Sequence, residues 1–213
     1  MKLRHLRDTL PLIAIALVIW QWSHIKNFVT AQTQAPATSL GKKLADGIPQ
    51  DRAAAPTEGW KVLKIADGDT ITVQRGNVKE KIRFCGIDAV EKQQELGTQA
   101  TDYLRSLIAK GDGTVMVSPI EEDRYGRTVA ELFVKPQPGT PGYQPEEEIF
   151  LNGEMVRAGL SYHYAKYSER CPNRDAIIKA EAIARSQHVG VWRDQYSIPP
   201  WEFRKQQRQN RGN

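Results

Sequence analysis

Apolar and polar positions change rhythm several times along this chain, and each change marks an element. Residues 70–75 and 78–85 are short β-like runs joined at Gly76-Asn77, and a Gly/Asn pair between such runs predicts a hairpin. The run before them, 60–66, has apolar residues in both phases of the alternation, so it predicts a strand whose inner face is undefined. Over 97–108 the period lengthens. Tyr103, Leu104, Leu107 and Ile108 fall at helical spacing, and Gly111 suits the C-terminal end. Strands follow at 114–120 and 128–134, then a Pro/Gly loop at 136–145. A short helix is predicted over 149–158, ended at Gly159. Another is predicted over 175–186, with Ile177, Ile178 and Ala182 on one side. Three strands, a helix and two more strands is the order of an α+β OB-fold, here a five-stranded β-barrel with three helices. That domain spans 59–203. Residues 204–213 are polar and basic and predict a disordered tail.

The first 58 residues follow none of these rhythms. Lys2, Arg4 and Arg7 precede an almost wholly apolar run over 10–22, broken by Pro11 and Gln21. A charged region before an apolar one is the layout of a secretory signal. The run is short for a spanning helix, which needs about 20 residues, but Trp20 and Trp22 suit a membrane interface. A cleaved signal and an uncleaved anchor both remain open for 1–29, with a buried N-terminal helix as a third reading. Either main reading puts the domain outside the cytoplasm, secreted or membrane-anchored. Residues 30–58, rich in Ala, Pro, Gln and Thr, predict a flexible linker.

Charge narrows the picture less than its total suggests. The formal net charge is +5, yet residues 60–203 hold 19 Lys+Arg against 21 Asp+Glu. The excess sits in the termini, so net charge alone does not argue for a basic nucleic-acid groove. Any attraction for an anionic substrate must be local.

The candidate chemistry collects around the hairpin. Asp67, Gly68, Asp69 and Thr70 open it; Arg83, Gly86, Ile87, Asp88 and Glu91 close it. Folding the hairpin brings Asp69 and Asp88 to the same end. Two such carboxylates repel unless a cation sits between them or one is protonated, and all-oxygen ligands favour a hard cation, Ca²⁺ or Mg²⁺. Alone, Asp67-Gly68-Asp69 reads first as a polar turn; with Asp88 and Glu91 on the other strand of the hairpin, a metal site is the stronger reading. A second motif, Asp123-Arg124-Tyr125-Gly126-Arg127, precedes the strand at 128–134.

DGDT, then R-x-x-G-I-D-x-x-E, then D-R-Y-G-R, in this order, resembles the staphylococcal nuclease (thermonuclease) family over about 60–192. The resemblance implies a calcium-dependent, sugar-nonspecific nuclease acting as a monomer on DNA and RNA and leaving 3′-phosphates. It implies a metal site of Asp69, Asp88 and the Ala89 backbone carbonyl, with Asp67 supporting it. Glu91 matches the acid that orients or deprotonates water. Arg83 and Arg127 match the two phosphate-clamping arginines, since guanidinium forks phosphate oxygens and stays charged. The alternatives are an exposed strand arginine for Arg83 and a turn salt bridge to Asp123 for Arg127. Arg124 and Tyr125, with Tyr162 and Tyr164, match substrate-binding positions; tyrosines packed on the barrel are the competing reading. One position departs from the family, which reads D-x-P-E where this chain has Asp88-Ala89-Val90-Glu91. Proline would fix the backbone between ligand and base; valine loosens that constraint.

His163 and His188 have no visible partner and read as structural or exposed. No serine or cysteine nucleophile arrangement appears, so no covalent intermediate is expected. Cys85 and Cys171 are the only cysteines, and in an exported chain they are expected to pair. Two rival functions stay open: a catalytically inactive nuclease-like module that binds nucleic acid or protein, and an OB-type binding domain whose calcium is only structural.

Overall fold

The computed structural model describes residues 59–212 except 145 and 194–196. The expected signal or anchor and the linker lie outside the described residues. No helix among the described residues is long and apolar enough to cross a membrane.

Strands β1 (Gly59–Ile65), β2 (Thr70–Arg75) and β3 (Val78–Phe84) form a meander. The hairpin register pairs Arg75 with Val78 and Thr70 with Arg83. Gly76 turns the chain with φ +57°, a conformation side chains with a Cβ resist. Strand β4 (Ile87–Ala89) and helix α1 (Gly97–Ala109) follow, then β5 (Thr114–Glu122) and β6 (Thr128–Val134). The sheet order is β3-β2-β1-β5-β6, and a parallel pairing of β3 with β6 closes it into a five-stranded barrel. Strand β7 (Ile149–Phe150), helix α2 (Leu151–Arg157), strand β8 (Ser161–His163) and helices α3 (Arg174–Ser186) and α4 (Pro200–Arg211) complete the order.

The barrel fills from inward-facing strand positions. Ile71, Val73, Ile82 and Phe84 are buried, and Leu104, Leu107, Leu151 and Met155 close over them. The two-phase pattern of β1 now has a cause. Its register against β2 shifts between Val62 and Lys64. A bulge of this kind re-aims one side chain, and Leu63 is left 48% exposed while Trp60 is buried.

Two expectations are corrected. Helices number four among the described residues, not three, and the segment expected to be a disordered tail is helical as far as Arg211. Side-chain contacts explain it: Trp201 stacks on Tyr164 at 4.9 Å, and Arg204 is bonded to Asp88 and Glu91. The segment 149–158 begins with two strand residues paired to Val134 and Phe133 before its helix starts.

The barrel is tied to the helical layer by polar bonds as well as packing. Cys85 and Cys171 form a disulfide across 86 residues of sequence. Buried Asn152 accepts from the Leu132 N–H at 3.0 Å and donates to the Cys85 carbonyl at 2.9 Å. Glu131, also buried, accepts from both the N–H and the side-chain amide of Asn173 at 2.7 Å, just ahead of α3.

Candidate active site

The turn between β1 and β2 delivers the first acid. Asp69 N–H donates to the Asp67 carboxylate at 3.1 Å, so Asp67 shapes the turn that presents Asp69. Gly68 is required by space: a Cβ there would lie 2.8 Å from the Ala89 Cβ. That closeness lets the Asp69 carboxylate reach across, accepting from the Ala89 N–H at 2.6 Å and the Thr70 hydroxyl at 3.0 Å. The second acid comes from β4, which pairs with β8 so that Asp88 lies opposite Tyr162.

Arg83, at the end of β3, stands between the two acids. Its Nη1 is 2.9 Å from Asp69 Oδ2 and its Nη2 is 3.0 Å from Asp88 Oδ1. The cation that two facing carboxylates require is here a guanidinium. All three groups are largely withdrawn from water, their side chains being 14%, 8% and 2% exposed. Burial raises the Asp88 carboxyl above its ordinary range, against the opposing pull of Arg204 and Arg83. Burial, with the Asp69 charge beside it, pushes Asp67 up to about 6.

A fourth side chain was not foreseen. Arg204 of α4 donates to Asp88 Oδ2 at 2.6 Å, to Asp88 Oδ1 at 3.1 Å and to Glu91 Oε1 at 2.6 Å. One guanidinium thus joins the proposed metal ligand to the proposed base. Burial opposes the arginine's charge, but bonds to Asp88 and Glu91 outweigh it and hold Arg204 more firmly protonated. The sequence did carry a sign of this helix. Pro200 suits the first helical position, Glu202 the first turn, and Arg208 and Arg211 the last turn.

Val90, the departure from the family pattern, is 2% exposed within the core. Its N–H donates to the Leu160 carbonyl at 3.3 Å, a bond proline could not make. A hydrogen bond and burial therefore stand in for the ring, and the expected loosening before Glu91 is offset.

The second motif builds a cluster of its own in the turn that leads into β6, the strand beside β3. Asp123 accepts from the N–H groups of Tyr125 and Arg127 at 2.9 and 3.0 Å. Arg127 Nε and Nη2 reach its other oxygen at 2.7 and 2.6 Å. Here the turn salt bridge is what forms. Arg124 donates to the Tyr125 hydroxyl at 2.8 Å, and Tyr125 is 68% exposed. Among the described residues no ion pair links Arg127 to Asp69, Asp88 or Glu91.

The remaining tyrosines divide. Tyr162 is buried, bonded to the Ser197 hydroxyl at 2.9 Å and set edge-on to Trp192 and Trp201. It is not free to stack on a base, and the packing reading describes it. Tyr164 has Trp201 stacked on one face and Asp88 as a neighbouring charge. His163 bonds Ser168 at 2.8 Å, a structural role as expected.

Whether these groups suit a metal is a question of donor chemistry. Among the described residues, no three or more His, Cys, Asp or Glu side chains converge to hold an ion. Asp69, Asp88 and the Ala89 carbonyl offer oxygen alone, a hard donor set. Both acids are buried and each is already paired with guanidinium, so a cation here would compete with Arg83 and Arg204. The residues fit a hard cation.

Comparison with known proteins carries the reading further. The family model described as staphylococcal nuclease homologue matches residues 81–194. The chain is 34% identical over 145 residues to a protein of Escherichia coli O157:H7 named Uncharacterized endonuclease, covering 68% of this chain and 83% of that one. It is 33% identical over 145 residues to the Micrococcal nuclease of Shigella flexneri, covering 68% and 79%. Another Uncharacterized endonuclease, of Haemophilus influenzae, is 33% identical over 152 residues, covering 70% and 75%. The fold is thus that of a nuclease, a hydrolase of the phosphodiester bond. Within that class the chain belongs to the staphylococcal nuclease family, whose members are generally metal-dependent. Helix α4 lies beyond the matched residues.

Proposed function

We propose that this chain is a calcium-dependent nuclease that hydrolyses DNA and RNA outside the cytoplasm and leaves 3′-phosphates. The observation that carries the reading is the meeting of Asp69, Asp88 and Arg83 beside Glu91. Asp69, Asp88 and the Ala89 carbonyl would hold the cation. Bound there, calcium supplies Lewis-acid neutralisation of phosphate charge. Glu91, the least buried of the acids bonded to Arg204, takes the proton of the attacking water. As the water oxygen bonds to phosphorus, the bond to the 5′ oxygen breaks, and that oxygen takes a proton from solvent. Arg83 and Arg127 fork the phosphate oxygens as their charge grows. To do so Arg83 must yield a bond to Asp69 or Asp88, and Arg127 must turn from Asp123. Arg204 bonds Glu91 through Oε1, so Oε2 is the oxygen that accepts the proton. The basic-then-apolar N-terminus supports an extracytoplasmic site, and the Cys85–Cys171 disulfide suits an oxidising compartment.

The test is digestion of single-stranded DNA by the full chain with calcium, with magnesium and with a chelator, beside Asp69→Ala. Cleavage with calcium alone, absent in the variant, is expected. A folded chain that cuts under none of these conditions would be a binding module, its acids permanently neutralised by Arg83 and Arg204. Glu91→Gln separates the roles further: turnover should fall by about 10²–10⁴ while calcium affinity changes far less.

A further inference from the structure

We propose that α4 is a phosphate-binding track that extends the substrate site, with Arg208 and Arg211 gripping the nucleic-acid strand beyond the scissile bond. The inference rests on the nuclease reading above. A cleft runs along α4 from Glu91, past Phe203 and Arg204, to Gln207, Arg208 and Arg211. Its inner end is the proposed base, so a strand lying in it is continuous with the reacting phosphate. Arg204, Arg208 and Arg211 follow at steps of four and three, which puts them on one helical face. At about 1.5 Å per residue they span roughly 10 Å of track.

The three arginines differ in what they already hold. Arg204 is engaged by Asp88 and Glu91, and with Trp201 against Tyr164 it anchors the helix. Arg208 and Arg211 are exposed, and among the described residues neither forms an ion pair. Two uncompensated guanidinium groups beside an active site match phosphate geometry. The same residues bear on the charge balance: the barrel carries no basic excess of its own, and four basic residues with no acid lie beyond 203. Folding as α4 brings that charge to the site. A lipid surface suits the helix less well, because after Phe203 it offers no apolar side chain to insert.

The test is steady-state cleavage of a single-stranded DNA oligonucleotide by the full chain across a range of salt, with calcium. Changing Arg208 and Arg211 together to Gln should raise KM about tenfold or more at low salt, with kcat moved far less. The log–log salt dependence of kcat/KM should flatten by about 1.4, the share of two single-strand phosphate contacts. The corresponding double Lys variant should recover most of the slope, because charge sets it. Wild-type KM and slope in the double Gln variant would overturn the track and leave the nuclease reading standing. A wild-type chain that cuts nothing would overturn both. Unchanged cleavage together with weakened binding to phosphatidylserine vesicles would overturn it in favour of a lipid surface.

Discussion

Two of this molecule's arginine–carboxylate clusters hold the candidate site residues, and they are built on opposite terms. At the hairpin end, Asp69 and Asp88 are buried and share Arg83, and Arg204 covers the outer side of Asp88. At the turn before β6, Asp123 and Arg127 sit four residues apart with side chains 19% and 24% exposed. Burial raises the Asp88 carboxyl despite its two guanidinium partners. At Asp123 burial also pulls upward, but bonds from Arg127 and the N–H of Tyr125 prevail and the carboxyl falls below its ordinary value. Desolvation thus outweighs the pairing in one place and is outweighed by it in the other. A cluster held against that cost is one where charge must be kept out of water, which is what electrostatic catalysis uses.

The largest effect should come from Arg83→Ala. It leaves two withdrawn carboxylates with no guanidinium between them, and removing one partner of a buried pair typically costs about 3–5 kcal/mol. Urea unfolding with a chelator should show that loss, and added calcium should restore part of it. A loss below about 1 kcal/mol would mean water already screens the acids, and the contrast with the turn cluster would dissolve.

Arg204→Ala should cost less. Its side chain is 38% exposed, so solvent screening discounts the pair, and about 1–2 kcal/mol is expected. Calcium affinity should rise, because Asp88 no longer has that competitor. Titration followed by calorimetry reads this without any turnover; an unchanged affinity would show that Arg204 does not contest the site.

The unequal legibility of the two clusters has a physical reason. Asp123 and Arg127 are bonded within one turn, so their pairing is written in local spacing. The hairpin, the α1 helix and the meeting of Asp69 with Asp88 were legible because Gly76-Asn77 and the helical period of Tyr103 to Ile108 are local too. Arg204 meets Asp88 from 116 residues away, and no periodicity reports a contact of that range. Its helix is short of apolar residues, so only Pro200 and the charge order at its ends marked it. Strands β4 and β8, three residues each, are too short for alternation to register. Tyr162 could not be told from a base-stacking tyrosine until Trp192, Trp201 and Ser197 closed around it.

The smallest effect on stability should come from the turn. Arg127→Ala ought to lower turnover by roughly two to three orders of magnitude, yet shift stability by at most about 1 kcal/mol, the range for partly exposed pairs. The acid side of the same pair fixes its pH dependence. Asp123 has a folded pKa below its unfolded value, so it binds fewer protons when folded. Its stabilising contribution is present above about 3.8 and is lost as pH falls through the lower, folded value. Comparing Asp123→Asn with the wild type at neutral pH and near pH 3 should therefore show a gap in melting temperature that narrows on acidification. Arg127→Ala should close only part of it, because the N–H groups of Tyr125 and Arg127 still bond the carboxylate. A gap that acidification leaves unchanged would mean Asp123 acts through the shape of the turn and not through its charge.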